Sequence, residues 1–222
     1  MFMDINFNYY STPLWFAFSH AWIYVFLLWK RSWQNRRLSD FLLGLILVGM
    51  SFNIWEYMLG FSGIHILWKQ LYFFPTGLGY AFAPICYYYF VAQVDRQFRF
   101  KINHIWGFLP FIIHTFYHVT VFSFGNDFVK IVELNFHHPF CIPIVEIFVE
   151  IIIDIYYFVK ILKFYKNYQN WTKTQFSDIE IVSFKWFRNL LIILALIFVI
   201  VYTMQIVGIF VNLDFKENWW EN

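Results

Sequence analysis

The sequence predicts an all-α, polytopic membrane bundle of six transmembrane helices, and three observations carry that prediction. Stretches of membrane-crossing length with few or no charges recur six times along the 222 residues. Hydrophobic residues make up 60% of the chain and charged residues only 14%, against about 25% in ordinary soluble domains. Lys and Arg gather in alternate gaps between the apolar stretches. A helix needs about 20 mostly apolar residues to cross the hydrocarbon, so each stretch is long enough. Barrel strands would need alternating polar positions, which these segments lack.

The six spans are expected near residues 12–29, 40–60, 71–93, 104–123, 139–160 and 186–211. The first lies in the charge-free run Ile5 to Trp29; with its basic flank behind it, it reads as an uncleaved anchor, not a signal peptide. The second, within Phe41 to Trp68, holds a single charge, Glu56. The third and fourth, within Leu71 to Val94 and Ile102 to Asn126, hold none. The fifth, within Leu134 to Val159, holds three acids and no base, and the sixth, within Asn189 to Leu213, is again charge-free. The longest link, roughly 161–185, contains Ser177-Asp178-Ile179-Glu180, a capping-box pattern that starts helices by satisfying their orphan amides. No sequence is left over for a soluble domain, so residues 1–222 read as one transmembrane domain.

Orientation follows from the bases. Thirteen of the sixteen fall in the first, third and fifth links, among them Lys30, Arg31, Arg36, Arg37, Arg96, Arg99 and Lys101; only Lys69, Lys130 and Lys216 lie on the other side. The positive-inside rule then places both termini outside and the basic links in the cytoplasm. Trp29, Trp33, Trp106, Trp171 and Trp186 near the inner ends and Trp68, Trp219 and Trp220 near the outer ends form the expected aromatic belts. Cys86 and Cys141 fall at different depths, and neither has metal-type spacing.

Several local patterns resemble one membrane family. The third span and its exit read Ala83-Pro84-Ile85-Cys86-Tyr87-Tyr88-Tyr89-Phe90, then Asp95-Arg96-Gln97-Phe98-Arg99-Phe100. The next span opens with His104 and Gly107-Phe108-Leu109-Pro110-Phe111. The sixth opens with Lys185-Trp186-Phe187-Arg188-Asn189-Leu190-Leu191, and Tyr57, Gly60 and Gly63 follow the first basic link. Together these are similar to the membrane-embedded sensor region of Bacteroidetes-type AraC-family regulators, in which a helix-turn-helix domain follows the membrane part. The resemblance implies a bacterial inner-membrane sensory module that passes a signal to a cytoplasmic output. It is not implied to be an enzyme. Its expected partners are the lipid bilayer, an unidentified small ligand or ion, and either further copies of itself or a separate output subunit; the chain itself is expected to bind no nucleic acid. Two departures stand out: Ala83 replaces the usual glycine before the proline, and the family carries a seventh span before its output domain. The 222 residues are therefore expected to be a fragment.

Ionisable groups inside a membrane are costly and mark functional candidates. Glu146, Glu150 and Asp154 are spaced by four residues, which advances about 40° per step on a helix and puts all three on one face. Adjacent carboxylates in low dielectric titrate as a coupled set unless a cation compensates them. Their expected partners are His114 and His118 on one face of the fourth span, His20 in the first and Glu56 in the second. Two readings stay open for this set: a polar pocket for a cationic or hydrogen-bonding ligand, a metal ion or protons, or a buried network that holds helices together. A small transporter or proton- or cation-conducting protein using the acidic face of span five is the alternative to the sensor. The one-turn spacing of His114 and His118 also occurs in membrane di-iron hydroxylases, but the seven histidines here are too scattered for that chemistry. No nucleophile elbow, phosphate loop or nucleotide fingerprint is present, so no cofactor is expected.

Overall fold

Two membrane-length helices open the chain and are clasped to each other at both ends. The computed structural model describes residues 7–63, 73–74, 77–132, 135–136, 142–175 and 185–211; the side chain of Glu56 lies outside that description. Among the described residues the regular structure is entirely helical, with no strand. The elements are α1 (Ser11–Asn35), α2 (Leu38–Phe61), α3 (Gly79–Val94), α4 (Ile102–Ile105), a 3-10 turn (Trp106–Phe108), α5 (Leu109–Ser123), α6 (Asn126–Val132), α7 (Ile142–Gln175) and α8 (Lys185–Val211).

Helix α1 begins where Asn8 and Ser11 cap each other. The Asn8 Oδ1 accepts from the backbone N–H groups of Tyr10 and Ser11 at 2.9 and 2.7 Å, and the Ser11 Oγ accepts from that of Asn8 at 2.9 Å. It ends at Arg36, which takes the left-handed conformation (φ 52°), while the Arg37 N–H donates back to the Ser32 carbonyl at 3.2 Å. Only Arg36 and Arg37 separate α1 from α2, so the two helices form an antiparallel hairpin.

At the basic end of the hairpin the Arg31 guanidinium donates to both oxygens of Asp40 at 2.7 Å each. The Asp40 carboxylate is buried. Nearby, Trp29 packs over Gly44, where a Cβ would collide with its indole, and its Nε1 donates to the Phe41 carbonyl at 3.3 Å. At the other end Asn8 donates to the Phe61 carbonyl at 2.8 Å, and Trp15 donates to the Ser62 Oγ at 3.0 Å.

Helix α3 is the buried element. Ten of its sixteen residues are inaccessible, including Tyr80, Ala83, Pro84, Cys86 and Phe90. It packs against α2 and also meets α5. Pro84 lies inside it and cannot donate to the Tyr80 carbonyl one turn back, which loosens the helix at that point. Tyr88 near its end sits among Phe98, Phe100, His104 and Phe108, with ring centroids between 4.9 and 6.0 Å away. Gly107 makes room for the Tyr157 hydroxyl, which touches the place a Cβ would fill. The Lys160 ammonium lies over three tyrosines, Tyr87, Tyr156 and Tyr157, at 4.7 to 5.4 Å from their centroids.

Three helical runs are long and apolar enough to cross a membrane: α1, α2 and the run Ile102–Ser123 through α4, the 3-10 turn and α5. Their outward faces fit that solvent, since Phe16, Phe26, Ile113 and Phe116 are more than half exposed. The described part of the third expected span, α3, is about 24 Å long at 1.5 Å per residue, shorter than the about 30 Å of hydrocarbon. Helix α7 carries the three acids and continues to Gln175, through residues that the sequence suggested were link. Helix α8 is apolar over Arg188–Thr203. The capping-box tetrad 177–180 and Cys141 lie outside the described residues. The chain divides into two compact units, one holding α1 to α6 with α7 as far as Ile161, the other holding the rest of α7 and α8.

Candidate functional site

The polar site is built by α3, α5 and the part of α7 before Ile161, all within the first unit. Pro110 sits in the first turn of α5, where its missing N–H costs nothing and its fixed φ favours the helix. Four residues on, His114 begins the pair that shares one face with His118; their ring centroids are 4.1 Å apart with planes tilted by 32°. Early in α7, Glu146 turns toward that pair. Its Oε1 lies 3.5 Å from the His114 Nε2 and 3.7 Å from the His118 Nε2. The three donor atoms all lie within 4.8 Å of one another.

Helix α3 supplies the third wall. The Tyr80 hydroxyl donates to the backbone carbonyl of Glu146 at 3.1 Å, and its ring packs on His114 at 4.7 Å between centroids. Phe73, fully buried, covers His118 at 5.1 Å. One turn beyond Glu146, the Glu150 carboxylate rests on Gly79 at the head of α3. A Cβ there would come within 2.7 Å of its Oε1, so only glycine leaves the carboxylate this place. One turn further, Asp154 is 5% exposed.

Of the residues expected from the sequence, the structure brings together His114, His118 and Glu146. Glu150 and Asp154 continue the same face of α7 as the four-residue spacing requires. His20 does not join them: it is exposed on α1, where its Nδ1 donates to the Phe16 carbonyl of its own helix at 2.9 Å. The backbone of Glu56 lies in α2. Tyr80 and Phe73 were not singled out in the sequence. The one available signal was the pair Gly79-Tyr80, a small residue beside a large amphipathic one at the start of an otherwise apolar segment.

Chemically, the arrangement is two imidazoles and a carboxylate aimed at one point, with two more carboxylates along the same helix. Such a set can hold a cation, exchange protons, or bind a ligand carrying hydrogen-bond donors. Comparison with protein-family models, with curated proteins and with solved structures finds no match.

Proposed function

We propose that the chain is a membrane sensory module whose signal acts at the His114–His118–Glu146 site and whose output lies in a cytoplasmic domain or subunit outside these 222 residues. The observation that carries this reading is that one polar site draws on three helices at once. A ligand or proton taken up there alters the contacts of α3, α5 and α7 together. Occupancy biases helix packing when two packings bind the signal with different affinity. Helix α3 is suited to respond, with Pro84 inside it and Gly79 at its head. In this reading the protein is a six-span bundle of the bacterial inner membrane with both termini outside, oriented by its thirteen basic residues in the cytoplasmic links.

A second reading has its own observation. Glu146, Glu150 and Asp154 form a file of acids along α7, the arrangement of a proton or cation pathway. Proteoliposomes enclosing a pH-sensitive dye separate the two. For a sensory module the lumen holds an imposed pH step. For a pathway the step decays, and Glu150→Gln with Asp154→Asn slows the decay. In the source cell, Glu146→Gln at unchanged protein level alters the transcript profile if the module senses; an unaltered profile defeats the sensory reading.

A further inference from the structure

We infer that His114, His118 and Glu146 form a binding site for a divalent transition-metal ion of tetrahedral preference, Zn2+ before others. The distances argue for it. A charge-assisted hydrogen bond between imidazolium and carboxylate is about 2.7–2.9 Å long. The Nε2 atoms instead stand 3.5 and 3.7 Å from a single carboxylate oxygen, too far for hydrogen bonds of that strength. Ligands held at about 2.0–2.1 Å around tetrahedral zinc are separated by about 3.3–3.4 Å, and the two observed edges lie within a few tenths of an ångström of that. The third edge, between the two rings, is no longer than 4.8 Å.

The burial of the donors points the same way. The two imidazole rings lie 4.1 Å apart with planes tilted by 32°, both beside the one carboxylate. The His118 Nε2 is buried and makes no hydrogen bond. A cation placed among the three donors satisfies all of them. Imidazole and carboxylate together suit zinc, whereas sites for Mg2+ and Ca2+ are built from oxygens. Zn2+ with Glu146 leaves one positive charge, and the carboxyl groups of Glu150 and Asp154 further along the same face of α7 are placed to offset it. Three protein ligands leave a fourth position open, the form of a site that exchanges its ion or holds a water and not of a closed structural one.

This inference shares its residues with the sensory reading but does not need it. The test is made on the full chain purified in detergent, stripped with chelator and dialysed against Zn2+. Elemental analysis is expected to find one zinc per chain. His118→Gln and Glu146→Gln should each weaken retention by at least about 100-fold, since even outer-shell changes cost 10–100-fold, while His20→Ala leaves it unchanged. Co2+ titrated into the unaltered protein should give the intense visible bands of a tetrahedral field. Weak octahedral bands, or none, overturn the inference without any variant having to fold. Undiminished zinc in His118→Gln overturns it too. Zinc that binds as described while Glu146→Gln leaves the transcript profile unaltered defeats only the sensory reading. An altered profile in a chain that takes up no metal defeats only this inference.

Discussion

Tyr80 does two things that its position in the sequence does not announce. Its hydroxyl fastens the backbone of α7 at Glu146, and its ring backs His114. Tyr80→Phe keeps the ring and removes the hydrogen bond, so the expected cost is about 1 kcal/mol, measured by chemical denaturation in detergent. Gly79→Ala is expected to act differently. The atom in the way is the free end of Glu150, which can swing aside, so stability should hold within about 1 kcal/mol while the carboxylate leaves its seat. Loss of the response to Glu150 chemistry with an unchanged melting temperature checks this. The site was legible where helical spacing alone decides the geometry, in His114 with His118 and in the three acids of α7. It was not legible for His20, because nothing in a sequence says toward which neighbour a helix turns. His20 bonds to its own helix, as any solitary polar group on an apolar face does when no partner comes within reach.

Helix ends carry the next set of consequences. Arg36 ends α1 in the left-handed region that costs a residue with a Cβ about 1–2 kcal/mol and that glycine adopts freely. Arg36→Gly is therefore expected to stabilise the hairpin by about 1 kcal/mol, read as a rise in the denaturation midpoint. Asp40→Asn removes the carboxylate from a bidentate pair whose other member is half exposed, and the expected cost is about 1–2 kcal/mol, discounted for the solvent around Arg31. Apolar run length placed α2, the run Ile102–Ser123 and α8 to within two residues at each end, but it stopped α1 six residues before Asn35 and began the third span eight residues before Gly79. It did not foresee α6, only seven residues long, nor the run of α7 to Gln175. Residues 161–175 are rich in Lys, Asn and Gln, which makes them look like a link by hydropathy although Lys and Gln are good helix formers.

For the molecule as a whole, the separation of charge along the sequence is the feature on which the proposed orientation rests. Arg36, Arg37, Arg96 and Arg99 line one groove of about 1040 Å3 between the first and third links. Cysteine labelling checks the orientation: an impermeant reagent on intact cells should miss Asn35→Cys and reach Asn126→Cys, and the opposite result inverts the topology. The hairpin that borders this groove has a further consequence. With two residues in its turn, Arg31 gripping Asp40 at one end and Asn8 and Trp15 gripping Phe61 and Ser62 at the other, α1 cannot slide or roll against α2 without breaking contacts at both ends together. It is a stator. Rearrangement within the first unit then falls to the elements packed beside the hairpin, among them α3, with Pro84 inside it and Gly79 at its head.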